Sequence, residues 1–163
     1  MMPSPRRHFR PRLCLLTAVG LGACAGAQGT LAPLPKGGHH VLFNGNSLTY
    51  TNDLPGVLAT MAASTRDTIY AASVTYANFA LVDHLSSGSA RAAIGADRWE
   101  YVILQQGPTS TTGVDRDTLI LAARAFEPLI RAAGGTPALY MAWPDITRRS
   151  FWDNCRDSYR MAA

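Results

Sequence analysis

Ser47 lies four residues beyond the apolar run Val41-Leu42-Phe43, within the stretch Gly45-Asn46-Ser47-Leu48-Thr49. A serine hydroxyl is a weak nucleophile until geometry and a base activate it, and a turn with small neighbours at a strand end is a common way to present one. The stretch is not the Gly-x-Ser-x-Gly nucleophile elbow, because Thr49 stands where that motif requires glycine. Composition alone also allows Ser47 to be an ordinary turn serine. Two other polar stretches end apolar runs: Gln105-Gln106 after Tyr101-Val102-Ile103-Leu104, and Trp143-Pro144-Asp145 after Pro137-Ala138-Leu139-Tyr140-Met141. A glutamine amide can donate an N–H to a developing oxyanion. Asp145 is expected to cap a helix, and Tyr140 and Trp143 are expected in the core or a pocket wall.

These residues need elements to bring them together. Val41–Asn44 reads as a buried first strand, Thr68–Thr75 as a second, Tyr101–Leu104 as a third and Pro137–Trp143 as a fourth. Between them lie helical patterns. Asn52-Asp53 is expected to cap a helix with Pro55 in its first turn, Leu81–Ile94 to be helical with a break near Gly88, and Asp117 to cap a helix that Gly134-Gly135 stops. Ser150–Met161 begins a further helix. Strands alternating with helices imply a parallel sheet covered on both faces, a three-layer α/β/α sandwich. Ligands bind at the carboxyl ends of such strands, where Ser47, Gln105-Gln106 and Trp143-Pro144-Asp145 all fall.

Composition narrows the classes. With 47% apolar and 16% charged residues, 163 residues suffice for one domain with a core. Of fifteen Lys and Arg, four are Arg6, Arg7, Arg10 and Arg12, and the remaining eleven match eleven Asp and Glu. The net charge of +4 therefore belongs to the N-terminal segment, and no basic stripe remains for nucleic acid. Residues 1–27 read as a signal peptide and 28–38 as a tether to a domain at 39–163. Leu21-Gly22-Ala23-Cys24 resembles a lipobox, which would lipidate Cys24, while Ala25-Gly26-Ala27 offers ordinary cleavage instead. Arg6-Arg7-His8-Phe9 is similar to part of a twin-arginine signal. The expectation is an exported protein, periplasmic or at the cell surface, touching membrane only through an anchor at Cys24. Of three cysteines, Cys14 lies in that signal and Cys24 at the lipobox. Cys155 is then expected to be a lone buried residue, which offers neither a disulfide framework nor a metal site.

The chain after residue 40 resembles the SGNH (GDSL-like) hydrolases. Phe43-Asn44-Gly45-Asn46-Ser47-Leu48-Thr49-Tyr50, followed by Asn52-Asp53-Leu54-Pro55, is similar to their first block. The resemblance implies a flavodoxin-like sandwich with Ser47 as nucleophile and its backbone N–H in the oxyanion hole. Tyr76-Ala77-Asn78-Phe79-Ala80 is similar to the second block, with Asn78 near the glycine that supplies a further N–H. Leu104-Gln105-Gln106-Gly107-Pro108 looks like a glutamine-bearing third block, and strand alternation lets one of Gln105 and Gln106 face the site. The fourth block carries a histidine three residues after an aspartate. No Asp-x-x-His occurs here, and the expectation is a domain lacking its last strand, loop and helix. His8 falls in the signal, His39-His40 before the first strand, and His84 in a helix, as a surface or capping residue.

The resemblance implies ester hydrolysis through an acyl-enzyme on Ser47, with no metal or cofactor. The partner is a small-molecule acyl ester, an acylated carbohydrate or lipid being the first to consider. The alternative is a non-catalytic exported lipoprotein that keeps the cleft for ligand or glycan binding.

Overall fold

In a computed structural model, residues 35–107 and 110–163 are described. The signal segment, Cys24 and tether residues 28–34 lie outside the described residues. Four parallel strands form one sheet: β1 (His39–Gly45), β2 (Ile69–Thr75), β3 (Tyr101–Gln105) and β4 (Thr136–Tyr140), in spatial order β2-β1-β3-β4. The chain moves from β1 to one side and then crosses back to the other, so the topological switch lies between β1 and β3. In open α/β sheets that is where the carboxyl ends leave a crevice.

The helices follow from caps and breakers. α1 (Ser47–Tyr50) and α2 (Leu54–Ser64) come after β1, and Asp53 caps α2 through Gly56 N–H with Pro55 in the first turn. Gly88, at φ +74°, separates α3 (Leu81–Ser87) from α4 (Ser89–Ile94). α5 (Gly113–Ala132) joins β3 to β4. A 3-10 turn at Ile146–Phe151 leads into α6 (Trp152–Ala162). Leu42, Val102 and Leu104 alternate to the sheet face that packs on Leu81, Ile94, Leu119, Phe126, Ile130 and Tyr159 from α3 to α6. Fully burying a side chain such as Phe126 or Leu42 contributes roughly 1.5–3 kcal/mol. Val41 and Phe43, also buried, alternate to the opposite face.

Several boundaries differ from the sequence reading, three of them for a clear physical reason. β1 begins at His39 rather than Val41, because His39 N–H donates to Thr68 O (2.8 Å) and the pairing with β2 runs from His39↔Ile69. β4 stops at Tyr140 rather than Trp143, since its partner β3 ends at Gln105. α5 starts at Gly113, with Thr112 at its N-cap and Asp115 in the first turn, so Asp117 lies inside the helix and does not cap it.

Candidate active site

Asn46 builds the serine turn. Its Oδ1 accepts Leu48 N–H (3.0 Å) and its carbonyl accepts Thr49 N–H (2.9 Å), which starts α1 at Ser47. A residue opening a helix has no intrahelical acceptor for its own N–H, and Ser47 N–H finds none among the described residues. Gln105 holds the turn from the neighbouring strand. Its Oε1 accepts both Asn46 N–H (2.9 Å) and Thr49 Oγ1–H (3.0 Å), while its Nε2 donates to Gln106 O (2.9 Å). Two glycines permit this packing. A Cβ on Gly45 would sit 2.6 Å from Gln105 Oε1, and one on Gly107 would sit 2.1 Å from Asn46 Nδ2.

The loop after β2 closes on the turn from the other side. Asn46 Nδ2 donates to Phe79 O (2.9 Å), one residue from Asn78. Asn78 takes a left-handed backbone at φ +61°, a region that asparagine enters more readily than other non-glycine residues. Its N–H has no acceptor among the described residues. Just beyond, Gln106 Oε1 accepts Leu81 N–H (2.8 Å) and Asp83 Oδ2 accepts Ala80 N–H (2.8 Å), fixing the start of α3. The two glutamines, both buried, thus serve different elements. Gln105 donates from its amide to Gln106 O, whereas Gln106 Nε2 has no acceptor among the described residues.

The described histidines depart from the sequence reading in part: His39 and His40 lie on β1, and His84, although in a helix as expected, is not on its surface. His84 is fully buried. Its Nε2–H donates to Gly45 O (2.8 Å) and its ring packs on Tyr76 and Phe79, so it ties the serine turn to the Asn78 loop. Burial pushes its pKa down, only partly countered by the Gly45 carbonyl and Asp83. His39 lies six residues upstream of Gly45 on β1, roughly 20 Å away at about 3.3 Å per residue. It pairs there with Glu100 (2.5 Å) and Asp67 (3.4 Å), chiefly Glu100 raising its pKa. His40 Nε2 donates to Pro35 O (2.9 Å). Among the described residues, none of these rings hydrogen-bonds Ser47 Oγ.

Cys155 is buried and its thiol donates to Ala142 O (3.2 Å), with burial raising its pKa. Asp145 caps the 3-10 turn through Thr147 N–H, and bonds to Thr147 and Arg148 bring its pKa to about 2. Asn46, Thr49, Gly107 and His84 also shape the site; the first three fall in the stretches similar to family blocks, but their partners, and the part His84 plays, are not visible in the sequence.

The arrangement defines a class: a parallel α/β/α sandwich that presents a serine at its switch point. Solved structures share its fold. A protein from Slackia heliotrinireducens assigned to the SGNH hydrolases superposes with a TM-score of 0.66 at 19% identity, over 78% of this chain and 74% of that one. TesA gives 0.54 at 15% identity, over 77% and 73%. A variant of Axe2, an acetyl-xylooligosaccharide esterase from Geobacillus, gives 0.52 at 12% identity, over 77% and 70%. The fold is therefore that of the SGNH (GDSL-like) hydrolases. No protein-family model and no curated protein matches the sequence.

Proposed function

We propose that the chain is an SGNH-type ester hydrolase acting on small acyl esters, exported by its N-terminal segment and anchored through Cys24. The observation that carries this reading is the serine turn. Ser47 opens a helix at the carboxyl edge of the sheet, its N–H and that of Asn78 are both without acceptors among the described residues, and the two loops are bolted together by Asn46. In the reaction Ser47 Oγ bonds to the ester carbonyl carbon as its proton passes to a base. The oxyanion is stabilised by the N–H groups of Ser47 and Asn78, with Gln106 Nε2 the available glutamine donor. The alcohol leaves with a proton, and water then releases the acid. Each preorganised donor contributes on the order of 3 kcal/mol to the transition state.

The base is the step on which a second reading turns. In the family that the sequence resembles it is the histidine of the fourth block. No imidazole among the described residues hydrogen-bonds Ser47 Oγ, and the second reading is a cleft that binds an ester or glycan without turning it over. Hydrolysis of p-nitrophenyl acetate by the wild type and by Ser47→Ala separates the two. The hydrolase reading expects the variant to fall to the uncatalysed rate, and equal rates would sink it. Covalent labelling by a fluorophosphonate gives the same discrimination without turnover, because an unactivated serine does not react.

A further inference from the structure

Beyond the serine turn, the carboxyl end of β4 carries an open cavity. Trp143 is 61% exposed and Trp152 39%, and with Met141, Asp153 and Arg156 they line an open pocket of about 380 Å³. That is within the size range of small-molecule sites. Its walls are fixed. Trp152 Nε1–H donates to Pro144 O (2.8 Å), and the Arg149 guanidinium covers one face of its ring at 5.1 Å. Trp143 stands edge-on to Tyr140, with centroids 6.4 Å apart. Arg156 is held by Asp153 Oδ1 (2.7 Å) and Asp157 Oδ1 (3.0 Å). These contacts leave Asp153 Oδ2, Arg156 Nη2 and Trp143 Nε1 without partners among the described residues.

The chemistry of the lining selects the ligand. An exposed indole face attracts an apolar surface, while the free carboxylate oxygen, guanidinium N–H and indole N–H seek hydroxyl groups. A sugar ring has both, an apolar C–H face and a hydroxyl edge. A hydrocarbon chain would desolvate the charged rim and give it nothing in return. We propose that this pocket binds a neutral sugar ring, the carbohydrate part of the ester presented to Ser47. β4 lies two strand spacings from β1, roughly 10 Å, so the pocket beside its end and Ser47 beyond β1 lie along the same carboxyl edge of the sheet. Only the ester linkage rests on the hydrolase reading; the sugar site stands on its own walls.

The test is calorimetric titration of the full chain with xylotriose, chitotriose and sodium decanoate, in wild type, Ser47→Ala, Trp143→Ala and Trp143→Phe. At least one trisaccharide should bind. Ser47→Ala should leave that affinity unchanged, Trp143→Ala should weaken it about tenfold, and Trp143→Phe less, as loss of an aromatic contact implies. Failure of both trisaccharides to bind wild type, or binding to Trp143→Ala as tight as to wild type, would overturn the proposal. So would Trp143-dependent binding of decanoate alone, which would make this an acyl pocket. Circular dichroism of Trp143→Ala confirms that the variant folds, as the exposure of this side chain leads one to expect. Fluorophosphonate labelling of Ser47 separates the two readings: binding without labelling refutes only the hydrolase, and labelling without binding refutes only the sugar site.

Discussion

Gln105 is where the serine turn is most open to attack by a single substitution. One buried oxygen accepts Asn46 N–H and Thr49 Oγ1–H, so removing it orphans two donors that water cannot easily reach. An unsatisfied buried group costs about 1–3 kcal/mol. Gln105→Leu should therefore lower the unfolding free energy in urea by roughly 2–4 kcal/mol, and a loss below about 1 kcal/mol would show that the turn holds itself. Gly45→Ala should act on the same contact from the other side, placing a methyl 2.6 Å from that oxygen. The place of Ser47 in a strand-end turn was legible because the residues that form the turn are its neighbours in sequence. The work of Gln105 was not, since its partner Asn46 is 59 residues away and its orientation depends on which strand lies beside β1. From sequence a glutamine at a strand end reads as a donor to substrate; in the fold its acceptor oxygen is what the site uses.

At the scale of elements, periodicity located every strand and the helix break at Gly88, where φ of +74° suits glycine. The ends were less legible because strands stop where pairing stops, as β4 does opposite Gln105, and pairing is invisible in one segment alone. α5 carries a feature that periodicity passes over. Pro128 lies four residues before its end, exposed, where it has no N–H to give to Arg124 O and its ring crowds that carbonyl. The buried stripe of Leu119, Ala122, Ala123, Phe126 and Ile130 nevertheless keeps the helix continuous. Tertiary packing here overrides a local cost. Pro128→Ala should then stabilise the protein by about 1–3 kcal/mol, read as a rise in thermal midpoint. An unchanged or lower midpoint would mean that Pro128 costs the helix nothing in its packing on α6.

For the molecule as a whole, two histidines at opposite ends of β1 set contrary dependences on pH. His84, buried and neutral with its pKa pushed below 6.5, binds fewer protons folded than unfolded. Stability from it is fully present above the unfolded pKa and falls as pH drops below about 6.5. His39, raised by Glu100 and Asp67, binds more protons folded. Its contribution is present below the unfolded value and is lost as pH rises through the folded one. His39 and its carboxylates are half-exposed, so salt screens them, whereas the burial of His84 is indifferent to salt. In about 1 M salt, where the Debye length is near 3 Å, the thermal midpoint should fall between pH 7 and pH 5. In His84→Gln, whose amide can still donate to Gly45 O, that fall should shrink. At low salt the wild type should show a shallower fall, because His39 offsets part of it, and His39→Gln should restore the steeper one. A midpoint with the same slope in His84→Gln as in wild type would refute the assignment. Direct titration of the His84 ring by NMR decides the same question should that variant not fold, since a midpoint at or above 6.5 contradicts a burial-lowered pKa.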